Sequence, residues 1–168
     1  MIIKVDRAGT AAGFKSIVNE LLNDYQAQGL LILACDANKF SPATADEFLK
    51  EIRVPVLGGI FPEIIFGAEK LTQGTIVAGF PVEPTVRVIP RLSDMEADYD
   101  DILDNEFPEV GQAKTMIVLV DGLAQRISTL IDSLFHIFGL EFNYIGGGAG
   151  SLSFEQKPCL FTNQGLLQ

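Results

Sequence analysis

Two aspartates stand where a binding site would need them. Asp36 closes the apolar run Leu30-Leu31-Ile32-Leu33-Ala34-Cys35, and Asp121 closes Thr115-Met116-Ile117-Val118-Leu119-Val120. In an open α/β sheet the ends of buried strands form the rim at which small ligands bind. Each aspartate is followed by a glycine motif: Gly58-Gly59 lies 22 residues after Asp36, and Gly146-Gly147-Gly148-Ala149-Gly150-Ser151 begins 25 residues after Asp121. Glycine contributes no side chain to a core and loses the most backbone entropy on folding, so such a run lets the chain turn sharply or lets something approach it closely. The candidate ligand-binding residues are therefore Asp36, Gly58, Gly59, Asp121, Gly146, Gly147, Gly148 and Ser151, expected to line one cleft between two halves of the molecule.

Other chemistries fare worse on the same residues. The glycine run follows a strand, as a dinucleotide fingerprint would, but Ser151 stands in place of the third glycine. Leu152-Ser153-Phe154-Glu155 then leads toward another strand, so no helix N-terminus is offered to a pyrophosphate. There is no Gly-Lys-Ser/Thr phosphate loop and no GxSxG elbow, and a single histidine cannot build a multi-histidine metal site. His136 reads as a solvated residue on the polar side of a helix near its C-terminus, and Cys35 and Cys159 read as core. With no nucleophile and base paired, no catalytic residue, metal or cofactor is assigned. Asp94, Glu96, Asp98, Asp100, Asp101, Asp104, Glu106 and Glu109 suggest calcium at first sight, yet the glycine of an EF-hand loop is missing. Met95, Tyr99, Ile102 and Leu103 at helical spacing, behind a Ser93-x-x-Glu96 capping box, make the acidic stretch a solvated helix face.

Composition narrows the partners. The 168 residues are 48% hydrophobic and 20% charged, an ordinary globular profile that suits one domain. A net charge of −10 with scattered lysines and arginines argues against nucleic acid. The longest apolar run, Gly29 to Cys35, is far too short to span a membrane. Two cysteines without CxxC spacing, and no secretory signal at the N-terminus, point to a reducing cytoplasm.

The elements that must position these residues alternate. A short strand at Ile2 to Val5 precedes a helix capped by Thr10, with Phe14, Ile17, Val18, Leu21, Leu22 and Tyr25 on one face and Gly29 past its end. The run from Leu30 to Cys35, apolar on both faces, predicts a parallel strand with helices on each side. Ser41-Pro42 starts a second helix, which stops before Val54-Pro55. Val54 to Gly59 is the next strand, ending at the glycine pair. Glu63 to Gly67 and Thr75 to Pro81 predict a long-loop hairpin, and Thr85 to Pro90 a further strand. Helices are expected from about Ser93 and Leu123, the latter ending at Gly139. Glu141 to Ile145 should lead into the glycine run, followed by strands at Cys159 to Thr162 and from Gly165.

The halves repeat. Leu71-Thr72-Gln73-Gly74 has a counterpart in Phe161-Thr162-Asn163-Gln164-Gly165, and from glycine pair to Gln-Gly glycine is 16 residues in one half and 19 in the other. The fold class expected is α/β: a mixed sheet built from two related strand-helix-strand-hairpin halves with helices packed on it. The second copy stops mid-strand at Gln168, so the chain reads as a piece of a longer protein, with an unpaired edge at Gly165 to Gln168 that invites self-association into a homo-oligomer.

In this order, the strand ending near Asp36, Val54-Pro55-Val56-Leu57-Gly58-Gly59, Gly74-Thr75-Ile76-Val77-Ala78, Asp121-Gly122 and above all Tyr144-Ile145-Gly146-Gly147-Gly148-Ala149-Gly150-Ser151 resemble the N-terminal half of the FIST domain, from about Leu30 onward. The resemblance implies a sensory module of signal-transduction proteins that binds a small ligand, amino acids having been proposed. It also implies a C-terminal FIST half or a signalling partner beside it. Some members similar to it bind haem and sense nitric oxide, for which His136 would be the ligand here. The chain departs from the family at Gly58-Gly59-Ile60-Phe61-Pro62-Glu63, where relatives tend to carry a small-residue run with cysteine.

Overall fold

The computed structural model describes residues 1–108 and 113–168, so Glu109 of the acidic stretch lies outside the described residues. The fold is α/β, with four α-helices, a mixed six-stranded sheet and two two-stranded sheets among the described residues. The chain divides into two compact units, residues 1–86 with 149–168, and residues 87–148.

The first unit holds the large sheet. Its strands are β1 (Ile2–Asp6), β2 (Gly29–Cys35), β3 (Val56–Phe61), β6 (Thr75–Phe80), β9 (Leu160–Thr162) and β10 (Gly165–Leu167), in the order β1-β6-β2-β3-β9-β10. β2 runs parallel to β3 and antiparallel to β6, so its carboxyl end, like that of β3, points to the side where Asp36 follows. Alternation along β2 divides its side chains between two clusters. Leu30, Ile32 and Ala34 join Phe14, Val18, Leu21, Phe48 and Leu49 of helices α1 (Ala11–Asn23) and α2 (Pro42–Glu51). Leu33 and Cys35 meet Ile64, Leu71 and Ile76. That second cover comes from the hairpin of β4 (Ile64–Phe66) and β5 (Glu69–Leu71), so the expectation of helices on both sides of β2 is corrected: helices cover one face and a hairpin the other. The capping logic holds. Thr10 Oγ1 accepts the Gly13 amide at 3.0 Å, and Ser41 and Thr44 form a reciprocal box with Pro42 at the first helical position.

Several boundaries differ for identifiable reasons. α1 ends at Asn23, short of Gly29. The expected long hairpin is replaced by a tight one, because Gly67 at φ 63° turns β4 directly into β5 and leaves β6 to sit between β1 and β2. The segment from Thr85 to Pro90 is no strand: Pro84 and Pro90 lack amide donors, and Pro84 instead fills the space that Gly29 leaves open. Gly58 and Gly59 lie inside β3 rather than at its end. At the outer strand β10, Leu166 is buried and its amide donates to Asp46 Oδ1 of α2 at 2.9 Å. The expectation of an unpaired edge at Gly165 to Gln168 is thereby corrected at Leu166, and self-association loses that support.

The second unit packs α3 (Tyr99–Glu106) and α4 (Ile127–Phe138) with β7 (Thr115–Asp121) and β8 (Asn143–Ala149), whose last residue falls at the unit boundary. Tyr99, Leu103, Val120, Leu130 and Leu134 form its buried core. α3 starts five residues later than the Ser93 box predicts, with Asp98 rather than Ser93 at the cap. Ser93 Oγ accepts the Gln125 amide, and the carbonyls of Asp94, Met95 and Ala97 are taken by Arg126, whose guanidinium also stacks 5.0 Å from the Tyr99 ring. Asp98 caps the helix instead, accepting from Asp100 and Asp101. α4 likewise starts at Ile127 because Asp121 holds residues 121–124 in a turn, its Oδ1 accepting the Leu123 amide at 2.9 Å. Gly139 at φ 66° ends α4 as expected.

The two related halves expected from the sequence have different strand partners. β7 and β8 pair in a sheet of their own, while β9 and β10 join the large sheet beside β3.

Candidate functional site

At the carboxyl ends of the parallel pair β2–β3, three side chains of the first unit converge. Asp36 opens a short 3-10 turn, Asp36–Asn38, directly after β2. Asn38 fixes that turn: its amide nitrogen donates to Gly74 O at 2.8 Å and Thr75 Oγ1 at 3.0 Å, and its oxygen accepts the Gly74 amide at 2.9 Å. With the backbone held, the Asp36 carboxylate presents both oxygens to the segment after β8. Ser151 Oγ donates to Oδ2 at 2.5 Å, and Lys157 Nζ donates to Oδ1 at 2.6 Å. The segment is rooted against β3, since the Gly150 amide donates to Ile60 O at 2.7 Å and the Ile60 amide to Cys159 O at 2.8 Å. Partial burial works against the charge of Asp36, but the hydrogen bonds from Lys157 and Ser151 and the lysine's positive charge outweigh it, and the carboxyl is held below its ordinary value.

Of the predicted residues, the structure thus brings Asp36 and Ser151 into contact. Gly58 and Gly59 are close-approach positions inside β3, paired with Ile32 and Leu33 of β2. A Cβ on Gly58 would stand 2.2 Å from Ile32 O of β2, and one on Gly59 would meet the Phe61 ring at 2.8 Å and Ala149 at 3.0 Å. Lys157 was missed by sequence reasoning, and its signal was faint: a lone lysine six residues after Ser151, with no pattern to tie it to Asp36.

The other predicted residues belong to the second unit. Asp121 is buried and caps its own turn. The glycine run is no turn there, because β8 passes straight through Gly146, Gly147 and Gly148. Gly146, at φ 151°, exists for close approach: a Cβ would fall 1.7 Å from Val118 O of β7. A Cβ on Gly148 would sit 3.0 Å from Gly122 Cα, beside Asp121, while one on Gly147 would meet none of the described residues.

A model of the FIST N domain family matches residues 29–168. The chain belongs to that family. FIST domains are sensory domains of signal-transduction proteins, not a known enzyme family. No curated protein and no solved structure matches the chain.

Two alternative chemistries can be set against this FIST N domain. Cys35 and Cys159 are fully buried; burial pushes the Cys35 thiol up, and its sulfur donates to Leu71 O at 3.3 Å. Such a thiol is a core residue rather than a nucleophile. Haem does not fit His136. Its side chain is 74% exposed and its Nδ1 is 2.7 Å from Asp100 Oδ2, so it offers a macrocycle no apolar enclosure. Among the described residues no three His, Cys, Asp or Glu gather as a metal site, and no helix is long and apolar enough to cross a membrane. A shallow groove of about 510 Å³ lies at the opposite, amino end of β2 and β3, floored by Ala27, Phe48 and Ile52.

Proposed function

We propose that this FIST N domain is a cytoplasmic sensory module that binds a small, polar, amino-acid-like ligand without turning it over, and passes its occupancy to a C-terminal FIST half or another signalling partner. The observation that carries the reading is the Asp36–Lys157 pair with Ser151. It sets opposite charges and a hydroxyl side by side at the carboxyl ends of parallel strands, where α/β sheets place ligands. A zwitterion would present an ammonium group to Asp36 and a carboxylate to Lys157, exchanging one internal ion pair for two charge-assisted contacts. Gly58 and Gly59 serve the site by letting β2 and the root of the 150–158 segment come close to β3. Asp121 with Gly146, Gly147 and Gly148 is proposed as a second ligand-facing group, supported by the exposed glycine backbone of β8. The two buried cysteines, which form no disulfide, favour the cytoplasm.

Thermal unfolding of the chain in the presence of each of the twenty L-amino acids tests the reading. A ligand at a hundred times its Kd stabilises by about 2.7 kcal/mol, and Lys157→Gln should abolish the shift. No shift with any of them, or a shift untouched by Lys157→Gln, removes the amino-acid reading.

A further inference from the structure

The bonds that define the site also define a mechanical arrangement. Ser151 and Lys157 are the two ends of a seven-residue segment, and both are tied to the same carboxylate, one to each oxygen. Between them Leu152, Ser153, Phe154, Glu155 and Gln156 are exposed. Leu152 and Phe154 are 71% and 76% exposed, although they are the segment's only large apolar side chains. Within residues 151–155 three backbone amides are held locally: the Ser153 amide donates to Ser151 Oγ, the Phe154 amide to Ser151 O and the Glu155 amide to Ser153 Oγ. Phe154 is held at φ 54°, a left-handed conformation that a bulky side chain rarely adopts. Backbone held this way persists only where its surroundings over-determine it. Here those surroundings include the two ties to Asp36.

We propose that residues 151–157 form a strap fastened at both ends by Asp36, and that a ligand ammonium group taking Asp36 must unfasten it. This rests on the site reading only in its second half. The fastening is a property of the protein alone, whereas the release follows from competition: one carboxylate cannot keep Lys157 and Ser151 and also accept a ligand's ammonium group in full. Binding and fastening are therefore negatively coupled, and linkage makes the coupling equal in both directions. Occupancy of the site is thus converted into freedom of an exposed, apolar-tipped segment, which is a signal that a partner surface can read.

Amide hydrogen exchange on the whole chain tests this. In Asp36→Asn, which removes the charge and keeps the shape, and separately in the milder Lys157→Gln, amides 152–157 should exchange about three- to tenfold faster than in the parent, with β2 and β3 unchanged. Glycine, the bare zwitterion, should speed the same amides in the parent and leave Asp36→Asn unaffected. Strap exchange unaltered in both variants overturns the fastening. Glycine that raises the melting temperature without speeding the strap overturns the release. If glycine and the other amino acids bind nowhere, the ligand reading fails, while the exchange of the two variants still decides the fastening on its own.

Discussion

The two glycine motifs look alike in sequence and differ in what surrounds them. Gly58-Gly59 is buried in the middle of a six-stranded sheet, with strands on both sides and cores above and below. Gly146-Gly147-Gly148 lies in one strand of a two-stranded sheet and is exposed along its length. In the first motif the missing side chains are a packing requirement, imposed by the Ile32 backbone at Gly58 and by the Phe61 ring and the Ala149 methyl at Gly59. In the second that holds for Gly146 and Gly148, while Gly147 is uncrowded. A glycine run therefore does not carry one meaning, and the reason for each residue can be separated by adding a methyl group.

Gly58→Ala should have the largest effect. Its Cβ would lie 2.2 Å from a backbone oxygen and 2.9 Å from the Ile32 backbone carbon, so β2 and β3 would have to separate in the centre of the sheet. A loss of about 3 kcal/mol or more is expected in urea unfolding. Gly146→Ala should follow closely, because the methyl would overlap Val118 O and the φ of 151° suits glycine alone. A cost below about 1 kcal/mol in either variant would show that the strands yield, and would dissolve the contrast with Gly147.

Asp36→Asn comes next. The sign of its pH dependence follows from the carboxyl being held below its ordinary value. The contribution of the folded-state bonds is fully present above the unfolded-state value and is lost as pH falls through the lower, folded-state value. The parent should thus lose stability on acidification through that window, and Asp36→Asn should flatten this part of the profile while costing about 1 kcal/mol at neutral pH. A variant whose acid limb superimposes on the parent's would show that Lys157 and Ser151 do not hold the carboxylate in solution.

The second unit offers a weaker pair. Hydrogen bonds from Ser133 and His136 hold the Asp100 carboxyl below its ordinary value, so its share of stability also fades only as pH falls into the acidic range. His136 is well exposed, and exposed pairs contribute little, so His136→Gln should move the melting temperature by no more than about 2 °C. A larger fall at neutral pH would promote the α3–α4 contact from a surface pair to a structural clasp.

Most of the first unit was legible in the sequence because its signals are local. The apolar run of β2, the Thr10 and Ser41 caps and the Val54-Pro55 stop each act within a few residues, and each appears in the structure. What failed to show is long-range. No local pattern reveals that Arg126 collects three carbonyls around residue 95 and so delays α3, or that Asp46 of α2 satisfies the amide of Leu166. The same holds at the site. Asp36 and Ser151 could be nominated from strand ends and glycines, but the contact between them spans 115 residues, and Lys157 enters only through the fold.

The smallest effect is the most informative about ligand binding. Among the described residues Gly147 has no atom within 4 Å of the position its Cβ would take, and its φ is not in the left-handed region, so an alanine there meets neither a clash nor strain. Urea unfolding of Gly147→Ala should fall within about 0.5 kcal/mol of the parent. Because the fold is undisturbed, any change in ligand affinity reports on what approaches the β8 backbone from outside. The proposed second ligand-facing group requires that affinity for an amino acid identified in the thermal screen drop in calorimetry on Gly147→Ala, with Ser151→Ala read alongside as the variant at the Asp36 corner. If Ser151→Ala weakens binding and Gly147→Ala does not, the ligand belongs to the Asp36 corner alone. The exposed glycines of β8 then answer only to β7 at Gly146 and to Gly122 at Gly148.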